Sequence, residues 1–268
     1  MTQGHKIIKY CAIAFAIYLV VSIIAGIAFA VSFLFNIFGE EKNLLSEPAI
    51  TIVENNINTL NIEIAASNLT IKTGEEFKVE TNDSGIEVKQ NDTLLEIIEK
   101  KKNIIKKNSK SKVIIYIPEN ISILNTNIES GAGKINIESL TTDKIEFELG
   151  AGNVAVDNLV VNDKADIQGG AGNMEISNST LKDLELEIGV GNVELNTELL
   201  GSTNIECGVG NLELSLTGSE DDYKININKG VGNAKINGEN IDNGKTFGDG
   251  ENKITIEGGV GSIKVSTN

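Results

Sequence analysis

The sequence predicts an all-β protein, a β-solenoid of about 19–20-residue coils preceded by one N-terminal transmembrane α-helix. Three observations lead to this prediction. A long run without charged residues stands near the N-terminus, a glycine motif recurs at nearly constant spacing, and apolar residues alternate with polar ones on both sides of that motif. The first feature predicts a membrane span, and the other two predict stacked, half-buried strands.

The uncharged run covers residues 10–38, and a helix of that length would be about 40 Å long, enough to cross a bilayer. Two lysines precede the run and two glutamates follow it. The positive-inside rule therefore predicts a cytoplasmic tail at residues 1–9 and an extracytoplasmic location for the rest of the chain. The alternative is a signal peptide cleaved near residues 28–30, but such peptides have a shorter apolar core of about 7–15 residues. Residues 39–49 are expected to form a short linker.

The glycine motif, Gly-x-Gly followed by a polar and then an apolar residue, occurs seven times between residues 130 and 265. The spacings between successive first glycines are 19, 20, 19, 19, 22 and 29 residues. A glycine-rich linker would show no such period, so these glycines are predicted to have a structural role in the repeat. The glycine pairs are Gly131 and Gly133, Gly150 and Gly152, Gly170 and Gly172, Gly189 and Gly191, Gly208 and Gly210, Gly230 and Gly232, and Gly259 and Gly261.

The period-two pattern predicts a strand before and after each motif, with glycine at the corner between them. Glycine suits a corner where φ is positive or where neighbouring backbones leave no space for a Cβ. One such unit cannot bury its own apolar face, so successive units are predicted to stack over residues 126–268. Residues 50–125 lack the motif and are predicted to form an irregular β cap, although residues 65–71 could be a degenerate copy.

Asparagine follows the second glycine in the five inner copies of the motif, whereas the first copy has Lys134 and the last has Ser262. Stacked amides can hydrogen-bond from coil to coil, which would make a ladder that stops at both ends. Asparagine also tolerates left-handed turn conformations, and the sequence does not distinguish these two interpretations. The residues are Asn153, Asn173, Asn192, Asn211 and Asn233.

Acidic residues form two outward columns in the predicted stack. Two residues before the first glycines stand Glu129, Glu148, Gln168, Glu187, Glu206, Asn228 and Glu257. A second column, five residues after the first glycines, contains Glu175, Glu194 and Glu213, and an insertion adds Asp221 and Asp222. Carboxylates about 5 Å apart repel each other, so the charge is expected to be offset by solvent screening or by weakly bound Ca²⁺ or Mg²⁺. These five residues are the candidate metal ligands; no other cofactor is predicted.

Composition excludes several functional classes. The 268 residues carry 23 Lys plus Arg, all of them Lys, against 38 Asp plus Glu, a formal net charge of −15, which argues against nucleic-acid binding. With one histidine and two cysteines, the chain lacks the parts of a His-based or Cys–His catalytic site. No catalytic residue is predicted, and Cys207 is expected to pack as a small apolar residue.

The repeats, together with the strand KVIIYIPENI at residues 112–121, resemble the bacterial putative-adhesin family of unknown function, also described as β-strand-repeat-containing envelope proteins. The resemblance covers roughly residues 48–268. It implies a membrane-anchored or secreted β-solenoid-like domain in the cell envelope, and it carries over no catalytic residue.

The leading functional hypothesis is a non-enzymatic, single-pass membrane protein that presents its solenoid to a wall polymer, a surface or an envelope protein. One alternative is an accessory or sensor component of an envelope-stress regulatory system. A remote alternative is a polysaccharide-active enzyme, since acids are abundant, but the chain has no Trp, few other aromatic residues and no Arg to bind a sugar. The sequence leaves the oligomeric state open.

Overall fold

The computed structural model describes residues 44–54, 56–100 and 111–267. These residues are all-β apart from one turn of 3-10 helix at Glu220–Asp222. Nowhere in this part of the chain is there a helix with the length and apolar character needed to cross a bilayer. The predicted tail at residues 1–9 and the predicted span at residues 10–38 lie outside the described residues.

The middle of the molecule is a β-solenoid-like stack in which long strands pair in parallel, each with the next along the chain. The first four of these strands run without interruption around the glycine corner, so that one strand forms most of a coil, whereas the next coil is divided into two strands at its corner. Equivalent repeat positions lie side by side, for example Gly152 beside Gly172 and Gly172 beside Gly191. The strands are β8 (Ile123–Ile137), β9 (Leu140–Asp157), β10 (Leu159–Lys182), β11 (Leu184–Leu200), β12 (Ser202–Val209) and β13 (Leu212–Leu216).

The core follows from the alternation seen in the sequence. In β9, Ile145, Phe147, Val154 and Val156 are buried, while Glu146, Glu148 and Ala155 face outward. Because the ladders are parallel and in register, the inward residues of each coil stack on those of the next. The apolar columns thus form one continuous interior, which no single coil could provide.

The N-terminal region is more regular than the sequence predicted. β2 (Thr59–Ile64) and β3 (Asn68–Thr73) pair in parallel with β8 and form a further coil. Small residues at 65–67 occupy the corner where the later coils have Gly-x-Gly, which explains how this coil stacks without the motif. β6 (Leu94–Glu99) and β7 (Lys112–Ile117) pair in parallel outside β2 and β3. Residues 50–125 are therefore not simply an irregular cap.

Antiparallel strands cover this outer coil. β5 (Ile86–Asn91) pairs with β6, β4 (Lys78–Asp83) pairs with β7, and β1 (Leu44–Ile52) pairs with β4. The described part of the predicted linker at residues 39–49 is thus strand from Leu44 onward. Leu44 and Ala49 of this segment pair with β4, which the length of the segment alone did not reveal.

The C-terminal end corrects the predicted order of coils. The last coil, β18 (Asn252–Val260) and β19 (Ile263–Thr267), lies between the β12–β13 coil and the coil of β14 (Tyr223–Val231) and β15 (Ala234–Ile236). The long spacing of 29 residues between the last two motifs supplies the chain that crosses over the outer coil. Within that crossing, β16 (Glu239–Asn240) and β17 (Thr246–Phe247) pair antiparallel with β15 and β14.

Candidate functional site: an acidic groove beside the glycine corner

The glycine corner is a stack of backbone against backbone. A Cβ on Gly189 would lie 2.7 Å from the carbonyl oxygen of Gly170, and the other motif glycines meet a backbone carbonyl of a neighbouring coil in the same way. The second glycine of each motif also has a φ between +140° and +157°, which side-chain-bearing residues rarely adopt. The two glycine positions of each corner therefore accept no side chain, and the column of first glycines leaves a strip of bare backbone along the stack.

The asparagine column next to this corner forms a hydrogen-bonded ladder. The Nδ2 of Asn192 donates to Oδ1 of Asn173 over 3.1 Å, and the Nδ2 of Asn211 donates to Oδ1 of Asn192 over 3.1 Å. Asn173 donates to Asn153 over 3.4 Å, and the Ser262 hydroxyl donates to Asn211 over 2.6 Å. None of the column asparagines has a positive φ. The ladder interpretation therefore fits the structure, and the turn interpretation does not.

The ends of this ladder differ from those predicted. Ser262 lies between Asn211 and Asn233 because the last coil is inserted between two earlier ones. At the other end, Asn68 of the motif-free coil accepts a hydrogen bond from the backbone N–H of Lys134 over 3.0 Å. The column thus extends one coil beyond the first glycine motif.

A groove runs along the stack on the other side of the glycine corner. Its first section has a volume of about 630 Å³, and a second section of about 420 Å³ shares Glu187 with it. One side is the outward column two residues before the first glycines, and the other is the bare glycine backbone. The floor contains partly or fully buried residues such as Leu149, Ile188 and Cys207.

The acidic wall of this groove is a nearly continuous column of carboxylates. Parallel register places its members side by side in the spatial order Glu63, Glu129, Glu148, Gln168, Glu187, Glu206, Glu257 and Asn228. Strands in such a ladder are about 4.8 Å apart. The column therefore concentrates negative charge along one line, with Gln168 as an interruption in the middle.

Amide groups on the adjacent outward column hydrogen-bond to two of the wall carboxylates. Asn61 donates to Glu63 over 3.4 Å, and Asn204 donates to Glu206 over 3.1 Å. The ammonium group of Lys164 lies 2.8 Å from Glu185 of the adjacent column, which is not a wall residue, and this contact lowers the pKa of the Glu185 carboxyl group and raises the pKa of the lysine. Neighbouring side chains thus provide part of the charge compensation that the sequence led us to expect for the acidic columns.

The five predicted metal candidates do not form one site. Glu175, Glu194 and Glu213 lie side by side on the strand face after the corner, and Glu213 is followed by Lys264 at 3.8 Å. Asp221 and Asp222 lie in the 3-10 turn, where Asp222 accepts a hydrogen bond from the Ser219 backbone N–H. Among the described residues, no group of three or more His, Cys, Asp or Glu side chains has an arrangement that could hold a metal ion.

Glu99 closes the N-terminal end of the groove. Its Oε2 accepts hydrogen bonds from the backbone N–H groups of Ala65 and Ala66, over 2.5 and 3.0 Å. In the next coil, the equivalent Ala132 N–H donates to the carbonyl oxygen of Ala65. The Glu99 carboxylate thus accepts the hydrogen bonds of the corner N–H groups in the neighbouring coil. At the next corner, a backbone carbonyl group has this role.

Cys207 lies in the floor of the groove and packs against the core. The thiol is free, and burial raises its pKa to about 11. A thiol with such a pKa is almost entirely protonated at neutral pH and is a poor nucleophile. This agrees with the expectation that Cys207 packs as a small apolar residue.

Sequence reasoning identified most of the acidic wall as an outward column but did not select it as a site. It missed Glu63 and Glu99, because the coil that carries Glu63 lacks the glycine motif and Glu99 belongs to a coil that stacks out of order. The alternation Leu60, Ile62 and Ile64 was the signal that could have revealed Glu63 as an outward residue.

These features define a β-solenoid-like repeat domain with a polar groove along its glycine corner. Residues 50–254 match the family model described as Toastrack DUF4097, and the chain belongs to that family. The resemblance that the repeats suggested is thereby confirmed. No curated protein matches the sequence.

Several solved structures are similar to this chain. One is described as a "putative adhesin" from Bacteroides fragilis, with 20% identity, a TM-score of 0.50, and coverage of 84% of this chain and 98% of that one. Another is a "putative cell adhesion protein" from Clostridium sporogenes, with 20% identity, a TM-score of 0.38, and coverage of 83% and 99%. A third, a "putative adhesin" from Parabacteroides merdae, has 11% identity, a TM-score of 0.30, and coverage of 85% and 98%.

Proposed function

We propose that the chain is a non-enzymatic cell-envelope protein that binds a cationic surface partner along the acidic groove. The observation that carries this proposal is the column from Glu63 to Glu257, which presents exposed carboxylates in a line beside a strip of bare backbone. Such a line favours an extended partner with repeated ammonium or guanidinium groups, because each positive charge of the partner can pair with the carboxylates of one or two coils.

Rigidity supports a binding role. The glycine corner and the asparagine ladder lie beside the groove and fix the coil spacing, so the carboxylates are held in place before a partner arrives. Preorganised sites lose less conformational entropy on binding than flexible ones. The wall residues also sit on strands rather than on loops, which keeps their spacing constant.

The groove is better suited to binding than to catalysis. General acid catalysis uses a carboxyl group that is desolvated in a pocket, whereas the wall carboxylates Glu129, Glu148 and Glu187 are exposed. The thiol in the floor, Cys207, is held protonated by its raised pKa. We therefore favour a non-enzymatic role.

The proposal includes anchoring by the uncharged run at residues 10–38, with the solenoid on the extracytoplasmic side. The absence of charge over that length and the lysines before it support this orientation. Anchoring would hold the groove at the cell surface, where wall polymers and envelope proteins are the available partners.

The test compares two triple variants of the full chain that remove the same charge from different columns. Replacing Glu129, Glu148 and Glu187 with Gln neutralises the groove, and replacing Glu175, Glu194 and Glu213 with Gln neutralises the other face. We expect the groove variant to bind purified cell wall or a polylysine probe at least about tenfold more weakly than the wild type, or ~1.4 kcal/mol. The control should bind like the wild type. Equal binding by both variants would show that the groove is not the site.

A further inference from the structure

Exposed large apolar side chains are concentrated on β1. Ile50 is 58% exposed, Ile52 is 63% exposed and Leu45 is 37% exposed. Ile50 and Ile52 point to the same side of the strand, since successive residues alternate between its two faces. A patch of this kind on an otherwise polar surface indicates contact with an apolar partner or a lipid boundary.

The strands next to β1 extend this patch into an amphipathic face. Ile52 lies opposite Lys78, Lys78 lies opposite Tyr116, and Tyr116 lies beside Lys72. In the adjacent row, Ile50 lies opposite Glu80 and Glu80 lies opposite Ile114. We call the outward residues Ile50, Ile52, Lys72, Lys78, Ile114 and Tyr116 the amphipathic face.

Tyr116 is held in the middle of this face by two lysines. The ammonium groups of Lys72 and Lys78 lie 4.9 and 4.5 Å from the centre of its ring. The tyrosine hydroxyl donates a hydrogen bond to Glu80 over 3.1 Å, and Lys78 pairs with the same carboxylate at 2.9 Å. An aromatic ring between lysines, next to exposed isoleucines, has the composition of a membrane-interface surface.

The charge of this region is opposite to that of the chain as a whole. Lys112 and Lys134 continue the outward rows beside Lys72 and Lys78. Glu80 and Glu76 lie close to Lys78, and Glu138 stands next to Lys72, so four lysines are accompanied by three glutamates. The complete chain has a formal net charge of −15, so a locally basic face requires a specific explanation. Anionic phosphate headgroups provide one, because they attract lysines near a bilayer surface.

The chain also places β1 close to the predicted span. Only residues 39–43 separate the end of the uncharged run at Phe38 from Leu44, where β1 begins. The six residue steps from Phe38 to Leu44 reach at most about 22 Å in an extended chain. If residues 10–38 cross the bilayer, β1 starts within this distance of its surface.

We propose that the amphipathic face rests on the surface of a bilayer with anionic headgroups. Ile50 and Ile52 would enter the boundary between headgroups and acyl chains, Tyr116 would lie at the headgroup level, and Lys72 and Lys78 would contact lipid phosphates. This inference rests on the membrane anchoring in the proposed function and adds to it a fixed orientation of the stack, with the β1 end at the membrane and the β14–β17 end away from it.

The test uses a tryptophan reporter, since the natural chain contains no Trp. The full chain carrying Ile52→Trp is incorporated into vesicles of phosphatidylcholine with or without phosphatidylglycerol, and quenching by brominated acyl chains is measured. The control is Val231→Trp, because Val231 is 57% exposed at the opposite end of the stack. We expect Trp at position 52 to be quenched several times more strongly than Trp at position 231, and more strongly still with phosphatidylglycerol.

A second pair of variants tests the lysines. In the Ile52→Trp chain, Lys72→Gln with Lys78→Gln should remove the extra quenching that phosphatidylglycerol causes, whereas Lys235→Gln with Lys264→Gln at the far end should leave it unchanged. Equal quenching at positions 52 and 231 in both lipids would overturn the proposal. Extraction of the chain from vesicles at alkaline pH would contradict the anchoring itself, and the neutral-pH quenching of position 52 would still decide whether the face contacts lipid.

Discussion

The central coils and the two ends of the stack are built by different means. From β8 to β13 the coils follow one another in chain order, and each repeats the same glycine corner. At each end, the outermost coil is not the terminal one in the sequence: β6 and β7 lie outside β2 and β3, and β14 and β15 lie outside β18 and β19. Both outer coils are then covered by antiparallel strands.

This difference shows that the middle and the ends of the stack must meet different structural requirements. The middle needs identical units, because stacking in register works only if every corner has the same shape. The ends need a departure from the repeat, because an exposed parallel edge would pair with other chains. Crossing the chain over the outer coil provides antiparallel segments that cover this edge. All but the last of the predictions below therefore compare a central position with an end position or test the arrangement of an end.

The largest effect should follow removal of residues 252–268, which form the last coil in the sequence. Because this coil lies between β12–β13 and β14–β15, its loss should leave residues 223–236 without a parallel partner, although they are still present. Buried Tyr223 should become exposed. Hydrogen exchange should be fast over 223–236 and remain slow over 123–200. Continued protection of 223–236 would contradict the inserted order.

Substitution of a central glycine should have the next largest effect. In Gly172→Ala, the new Cβ would collide with the carbonyl oxygen of Gly152, and φ is +147°. We expect a loss of more than about 3 kcal/mol in the free energy of unfolding, or failure to fold.

The matched end position is Gly238, where φ is +82° but nothing lies within 4 Å of an added Cβ. Gly238→Ala should lower the free energy of unfolding by only about 1 kcal/mol, from backbone strain alone. Urea unfolding followed by circular dichroism measures both variants. Similar losses would mean that the close approach of coils at the corner is not what requires glycine.

The asparagine ladder should contribute less. Asn192 donates to Asn173 and accepts from the side chain and backbone of Asn211, so Asn192→Ala should cost about 1–2 kcal/mol in urea unfolding. Asn233 makes no side-chain hydrogen bond with another described residue, and Asn233→Ala should change stability by less than about 0.5 kcal/mol. Equal costs would indicate that the amides do not act as a ladder.

The smallest structural effect concerns Cys207, which can be followed without changing the fold. In a Cys11→Ser background, iodoacetamide should modify Cys207 slowly at pH 8, because its pKa of about 11 leaves little thiolate. The rate should rise about tenfold per pH unit until the pH approaches 11. The same chain in urea should react at the rate of an ordinary thiol. Rapid labelling of the folded chain at pH 8 would show that the thiol is not desolvated.

The central fold could be predicted from the sequence, because one motif at constant spacing fixes both the corner and the alternation on either side of it. The glycines, the asparagine column and the outward acids of the central coils lie side by side as their repeat positions require. The order of the end coils could not be predicted, since parallel pairing of β18 with β12 and with β14 satisfies the same pattern of apolar residues.

The site was only partly predictable for a related reason. A column of outward acids is visible in the repeats, but its selection as a groove depends on the bare backbone beside it and on Glu63 and Glu99 from coils without the motif. The second acidic column, with Glu175, Glu194 and Glu213, has an equally clear pattern in the sequence. What separates the two columns is the shape of the neighbouring corner, which becomes visible only in three dimensions.

The crossed ends restrict how such a protein can change length during evolution. A tandem duplication of a unit between β8 and β13 adds a coil whose corner meets identical corners above and below. A unit appended after residue 267 would start inside the stack, between two coils that already pair, and would have no edge to join. Lineages with longer or shorter relatives should therefore differ in the number of central units and inherit each end as an indivisible block.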